Sequence, residues 1–307
     1  MEFNEIKKRF MLRCFSMRLA DTTIKAYEEF FSSFGKFLES ENKSNDFESI
    51  DSVVLRRYLI KLSTTMNGNT IEGYYRKLKT LFKFLLKEKL LTENPLDYVE
   101  RPRTPKRKIQ TFSSEEVFKM LNAYDTNDFI GLRNYTLLSF LLSTGVRRSE
   151  FVNLTMFDVD LQADIIRIIG KGDKERLIPI GKKLKLLLKR YVSARNQYLK
   201  QECKNKTCNA FFISRYGEQL KLSGANSIFQ TLKKNLGLSG KRYSAHIWRH
   251  TFAKSYLLNG GDLFTLQEML GHADIETTKI YINLTKQEVK MQNEQFNPLD
   301  NTKWQYY

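Results

Sequence analysis

Cysteine is scarce in this chain of 307 residues: Cys14, Cys203 and Cys208 are the only three. So small and uneven a set forms no disulfide framework, and Cys203 and Cys208 alone cannot supply the four ligands of a structural zinc. Unpaired thiols point to a reducing compartment, so a cytoplasmic protein is expected. Long apolar runs are missing too. No stretch approaches the ~18 residues that suggest a membrane span. The opening Met1-Glu-Phe-Asn-Glu-Ile-Lys-Lys-Arg9 mixes charges where a secretory leader has an apolar core. No membrane partner is expected. Acidic residues are short relative to basic ones, 34 against 51, which leaves a net charge of +17. Such a chain is attracted to polyanions, with nucleic acid the first candidate. The basic residues are spread along the sequence, unlike those of a helix that lies on a membrane surface. Histidine is equally rare, and all three, His246, His250 and His272, fall in the last quarter.

What is present reads as two domains, since 36.2 kDa is long for one core. Ile24, Tyr27, Phe31, Phe34 and Leu38 recur at helical steps, as do Ile71, Tyr74, Leu78, Leu81 and Leu85, with Thr70 placed to cap the second run. Val54, Tyr58 and Leu62 mark a shorter helix. Residues 1–100 are therefore expected to form a helical bundle carrying Lys25, Lys36, Lys77, Lys79 and Lys83 on its polar faces. Asn94-Pro95 ends the helical run. Residues 101–110 hold Pro102, Pro105 and five basic residues, and read as an extended linker. It serves either as a strap along a phosphate backbone or as a solvated hinge.

The second domain, 111–307, opens at Ser113 and Glu116, which have capping-box spacing. Helical patterns at 132–142 and 150–154 give way to β-branched runs at 164–169 and 176–180. These flank Gly-Lys-Gly-Asp-Lys at 170–174 and predict a β-hairpin. Helix is expected again over 184–199, 225–236, 245–258 and 263–270, with Gly260-Gly261 as a C-cap. The fold class is mainly α with a small β-sheet.

The histidines keep selected company. His246, Arg249 and His250 stand at i, i+3 and i+4, on one helical face. His-x-x-x-His can bind zinc, but Arg249 between the imidazoles repels a cation. Trp248 also stands where a zinc hydrolase carries its glutamate base. No metal and no other cofactor is expected. For His250 a structural role, packed or capping against nearby backbone, is preferred to direct chemistry. Arg147 follows Thr144-Gly145 where an apolar helix stops. A guanidinium buried there needs an anion, and its fork matches phosphate oxygens. Arg148 is its neighbour, and one of the two is expected to face the site. Glu150 either holds a catalytic group or is a surface carboxylate. Lys171, in the hairpin turn, can give a proton to a leaving oxygen, with Lys174 the alternative. Tyr281 is the nucleophile candidate among 15 tyrosines, because His272 lies nine residues before it, across a short loop, in the same basic neighbourhood. No serine or cysteine has a histidine arranged with it as a triad.

The order Thr144-Gly-Val-Arg-Arg-Ser-Glu150, Gly170-Lys-Gly-Asp-Lys-Glu-Arg176, His246-Ile-Trp-Arg-His250 and Leu270-Gly-His272, followed by Thr277-Thr-Lys-Ile-Tyr281, resembles the tyrosine site-specific recombinases. The likeness spans residues 111–285 and is closest to the simple Xer-like and mobile-element integrases. More loosely, residues 1–100 are similar to that family's helical core-DNA-binding domain. The resemblance implies an N-terminal helical DNA-binding bundle and a C-terminal mixed α/β catalytic domain. It implies that Arg147 and Arg249 grip the scissile phosphate, that His246 and His272 assist by hydrogen bonding and proton transfer, and that Lys171 protonates the departing 5′ oxygen. Tyr281 would form a 3′-phosphotyrosine, with Glu150 supporting the site and neither metal nor ATP required. Trp248 replaces the family's commoner leucine and is expected to alter packing, not chemistry. The implied partners are double-stranded DNA, clamped between the domains, and a homotetramer on two DNA sites; an accessory protein is left open. The tail, 286–307, carries Val289, Met291, Phe296, Leu299 and Trp304. It is expected to dock on a neighbouring protomer, the alternative being its own domain. Two other activities share features with this one: relaxation of DNA by a type IB topoisomerase, and non-catalytic DNA binding.

Overall fold

The computed structural model describes residues 2–43, 47–103, 109–170, 172–203, 206–237, 243–282 and 286–296. The chain forms two compact units, Met1–Arg107 and Lys108–Tyr307. The division falls within the stretch read as a linker, where 104–108 lie outside the described residues.

The first unit contains α1 (Phe3–Ser16), α2 (Asp21–Ser40), α3 (Ser52–Ser63) and α4 (Gly68–Lys87). Their apolar stripes meet in a core rich in phenylalanine, including Phe10, Phe30, Phe31, Phe34 and Phe82. The rings interlock by edges: Phe10 lies 5.3 Å from Phe84 at 89° and 5.4 Å from Phe31, the arrangement that ring quadrupoles favour. Asp51 caps α3 by accepting from the N–H groups of Val53 and Val54, both at 2.9 Å. The cap of α4 is Asn67 rather than Thr70. Its side-chain oxygen accepts from the Thr70 N–H at 3.2 Å, so Thr70 lies inside the first turn. Nor does α4 run on to Asn94-Pro95. It stops at Lys87, and Lys89 turns the chain with φ of 58°. Asn94 then caps a single 3-10 turn, Pro95–Tyr98. Lys25, Lys36, Lys79 and Lys83 are exposed. Lys77 is half-buried, its ammonium 4.8 Å from the centre of the Tyr74 ring.

The second unit runs α5 (Ser114–Asn122), α6 (Phe129–Thr144), α7 (Arg148–Asn153), β1 (Val159–Asp160), β2 (Ile165–Ile169), β3 (Glu175–Pro179), α8 (Lys182–Glu202), α9 (Leu222–Asn235), α10 (Ala245–Leu258), α11 (Leu263–Leu270), α12 (Glu276–Lys279) and α13 (Lys286–Phe296). The Ser113–Glu116 capping box is present, with bonds of 3.2 and 2.7 Å. Helix α6 is apolar almost all round because it is central, packed against α8 and α10. The sheet is antiparallel in the order β1-β2-β3, with Ile166 opposite Ile178 and Ile168 opposite Arg176. Strand β1 was not foreseen, since two residues are too few to show an alternating pattern. Ile166 and Ile168 face the core and Arg167 and Ile169 face away, as a period of two requires. Gly260, with φ of 88°, follows the end of α10, and the Gly261 N–H donates to Tyr256 O at 2.9 Å. In this single chain α13 rests on its own unit. Lys254 pairs with Glu288 at 2.7 Å, and Gln292 Nε2 donates to Leu257 O at 3.2 Å and Leu258 O at 2.7 Å.

Candidate active site

Two helices of the second unit end in the same way, and the site is built on those ends. Helix α6 is closed by Gly145 (φ 59°) and α11 by Gly271 (φ 64°), the left-handed conformation that glycine adopts without strain. A side chain would be crowded at both. A Cβ on Gly145 would lie 2.3 Å from the Phe252 ring, and one on Gly271 would lie 3.0 Å from Arg176 Cδ. The last carbonyls of a helix carry partial negative charge and lack partners within it. Here guanidiniums satisfy them.

Arg249, on α10, is 3% exposed. Its Nη1 donates to Gly145 O at 2.7 Å and its Nη2 to Leu270 O at 2.7 Å. Burial, then the nearby Arg147, lowers its pKa to about 10, so it stays charged at neutral pH. Arg147, at the start of α7, reaches the same turn: its Nη2 donates to Gly271 O at 2.9 Å. Adjacent carbonyls, 270 and 271, thus hold the two arginines. Arg148 turns away to Asn226 on α9, at 3.2 Å, so Arg147 is the member of the pair that faces the site.

Glu150 organises the other side of Arg147. Its carboxylate accepts from the Arg147 N–H at 2.7 Å and from Nη1 at 2.9 Å. Arg176 on β3 holds both oxygens of the same carboxylate, at 3.0 and 2.7 Å, and donates through Nε to Met269 O at 2.8 Å. Burial by itself raises the Glu150 pKa. The bonds from Arg176 and Arg147 outweigh that and hold it at about 2. Glu150 is 8% exposed and is no surface carboxylate. Arg176 was not singled out from the sequence, although it is the last residue of the Gly-Lys-Gly-x-Lys-x-Arg pattern. A lone arginine in a strand gives no sign of its partner.

His272 follows the α11 turn. Its Nε2 lies 2.8 Å from Arg249 Nη2, and its Nδ1 lies 2.9 Å from the hydroxyl of the buried Thr278. A guanidinium only donates, so Nε2 accepts and the proton of the neutral ring sits on Nδ1. Burial and then Arg249, Arg147 and Arg176 lower its pKa to about 4.

Tyr281, in the 3-10 turn Ile280–Ile282, is 4% exposed. Its hydroxyl lies 2.8 Å from His250 Nδ1. Burial raises the phenol pKa, while the charges of Arg249 and then Arg147 pull it down. This corrects the reading of His250 as a group packed or capping against backbone: its partner is the phenol. His246 is exposed on α10, its ring centroid 4.2 Å from that of His250. Arg147, Glu150, Arg249, His272 and Tyr281 are therefore brought together, with His246 at the margin. Lys171 lies outside the described residues, and Lys174 is exposed. Trp248 is fully buried, 5.1 Å from Phe112, and its Nε1 has no hydrogen-bond partner in the described structure. It packs behind the site and takes no part in the network.

Comparisons with known proteins agree with this architecture. The phage integrase family profile matches residues 110–288, and the phage integrase SAM-like domain profile matches 2–109. The tyrosine recombinase XerD of Listeria innocua is 32% identical over 282 residues, covering 91% of this chain and 94% of that protein. Among solved structures, XerH site-specific recombinase bound to its difH substrate in a pre-cleavage complex is 25% identical. It has a TM-score of 0.67 and covers 87% of this chain and 77% of that one. The Tn1549 transposon integrase in complex with a circular intermediate DNA shares the fold with a TM-score of 0.78. That match, at 18% identity, covers 96% of this chain and 100% of the other.

Proposed function

The chain belongs to the phage integrase family and is a site-specific DNA recombinase of the tyrosine class, and we propose that Tyr281 is the nucleophile with which it cuts and rejoins DNA. The observation that carries this reading is the placement of Arg249 and Arg147 on the neighbouring carbonyls of Leu270 and Gly271, with the charges of both pulling the phenol pKa down against its burial. Two guanidiniums held side by side can take the two non-bridging oxygens of one phosphate. With five N–H donors each, both retain donors beyond those the carbonyls occupy.

In the proposed reaction the Tyr281 oxygen bonds to phosphorus and the 5′ oxygen leaves, giving a 3′-phosphotyrosine. Lys171 protonates the departing oxygen. Glu150 and Arg176 keep Arg147 in register, and His272 buttresses Arg249 from behind while His246 borders the entrance. Negative charge gathers on the phosphorus oxygens in the transition state, where the fixed guanidiniums stabilise it. One arginine so placed at a phosphoryl transition state is worth about 10³–10⁵ in rate. A divalent metal is not needed for that neutralisation. The covalent ester keeps the energy of the broken bond, so a 5′-hydroxyl from another strand reseals it without ATP.

The partner is double-stranded DNA, attracted by the net charge of +17. The recombining unit in this reading is a homotetramer on two DNA sites, in which α13 passes from its own α10 to that of a neighbour.

The test is covalent trapping on a nicked suicide duplex in the presence of EDTA. The native protein should form a protein–DNA adduct, and Tyr281→Phe should bind the duplex and form none. An adduct with Tyr281→Phe removes the nucleophile assignment, and an absolute need for divalent metal removes the metal-free chemistry.

A further inference from the structure

The roles assigned above leave one close contact of the site unused. His250 Nδ1 lies 2.8 Å from the Tyr281 oxygen, and the two rings are 5.4 Å apart. His250 follows Arg249 on α10, and α10 packs on the turn that carries Tyr281. The helix that presents the phosphate-gripping guanidinium therefore also presents an imidazole to the nucleophile.

The contact places one proton between Nδ1 and the phenol oxygen, and a neutral imidazole accepts it through the Nδ1 lone pair when its ring proton sits on Nε2. In that tautomer the phenol O–H donates to His250. We propose that His250 is the general base of the cleavage step, taking the phenol proton onto Nδ1 as Tyr281 attacks. The inference rests on Tyr281 being the nucleophile. The phenol O–H bond breaks as N–H and O–P bonds form, and the 5′ oxygen leaves with a proton from the opposite side. In rejoining, the 5′-hydroxyl gives its proton to Lys171 as its oxygen attacks phosphorus, and the departing phenolate recovers its proton from His250.

The surroundings make this base conditional on substrate. The groups that act on His250 are His246 and Arg249 on α10, His272 after α11, and the phenol itself. Burial and then those neighbours hold its pKa at about 4, too low to deprotonate a phenol whose own value is raised. A phosphate seated on Arg249 brings negative charge, and the transition state adds more. Both offset the positive charge of Arg249, which adds to burial in weakening the imidazole, so its basicity rises as the reaction needs it. An idle enzyme keeps its nucleophile protonated.

Asparagine at position 250 keeps an acceptor oxygen near the place of Nδ1 but cannot take a proton. Single-turnover cleavage by His250→Asn is expected to fall by about 100-fold or more, with DNA affinity retained. Its rate should climb steeply with pH, because solvent must now remove the proton. A duplex with sulfur as the 5′ bridging atom, whose thiolate leaves unprotonated, should not restore the rate. Cleavage by His250→Asn close to the native rate overturns the proposal. So does rescue by the sulfur substrate, which would put His250 on the leaving-group side. Nitrogen NMR of histidine-labelled native protein supplies a readout that does not depend on a variant folding. An unprotonated Nδ1 whose resonance moves in Tyr281→Phe is expected, and a protonated Nδ1 overturns the proposal. The two readings fail separately: an adduct in Tyr281→Phe removes the nucleophile, whereas native-like cleavage by His250→Asn removes only the base.

Discussion

Two imidazoles and a carboxylate in this site titrate well below their ordinary range, and that ties stability to pH. His250 and His272 have pKa values of about 4 against an ordinary 6.5. As pH falls through 6.5 the unfolded chain takes up protons that the folded one refuses, so stability is lost between about 6.5 and about 4. Glu150, at about 2 against 4.5, contributes stability that is present above 4.5 and is lost as pH falls toward 2. Thermal melts should therefore drop in two stages on acidification, and replacing both histidines with asparagine should flatten the upper one. A melting temperature that holds steady from pH 7 to pH 4 would contradict the assignment. Arg176 governs stability through its contact with Glu150. Arg176→Ala leaves a buried carboxylate without its bidentate partner, a loss of roughly 3–5 kcal/mol. Lysine should not restore it, since one ammonium cannot span both Glu150 oxygens and the Met269 carbonyl. Calorimetry of the three proteins checks both statements.

At the scale of elements, the site is an arrangement of helix ends. The C-termini of α6 and α11 supply carbonyls, the N-terminus of α7 supplies Arg147, and β3 supplies the brace. Gly271 is the joint, because its φ of 64° turns its own carbonyl and that of Leu270 toward different arginines. Gly271→Ala should lose about 1–2 kcal/mol from the left-handed backbone and push Arg176 off Glu150. Suicide-substrate cleavage should fall at least tenfold, which is about 1.4 kcal/mol of lost transition-state stabilisation, with duplex affinity unchanged. Unaltered cleavage would mean that the turn does not set the guanidiniums. The helices themselves were readable in the sequence: α10 and α11 begin and end where 245–258 and 263–270 were expected. The errors lay at edges, where one polar residue competes with another. Asn67 took the place of Thr70 as cap because α4 begins at Gly68, and the Asn67 side-chain oxygen accepts from the N–H of Thr70 itself. Lys89 ended α4 by a turn that lysine rarely makes, with no proline or glycine to announce it.

The whole molecule separates its tasks between two units, each with its own core. Attraction to DNA belongs to the chain as a whole through its +17 charge. In the proposed reaction the chemistry lies on the second unit, and assembly would rest on α13. Truncation at Lys286 should leave salt-sensitive binding to a single duplex nearly unchanged and abolish the complex that pairs two sites. Sedimentation of the truncated protein on paired-site DNA tests this, and a complex of native size would refute the exchange of α13.

By itself, the sequence determined which groups the protein has to work with and most of the elements that carry them. Helical and strand periods, caps and turn glycines are written in residues a few positions apart. The tertiary structure alone decided which group meets which. Arg147 meets the Gly271 carbonyl 124 positions away, Arg176 meets Glu150 across 26, and His250 meets Tyr281 across 31. Those pairings follow from how the helices pack, because a buried guanidinium, carboxylate or phenol takes whichever partner the folded core brings within hydrogen-bond reach.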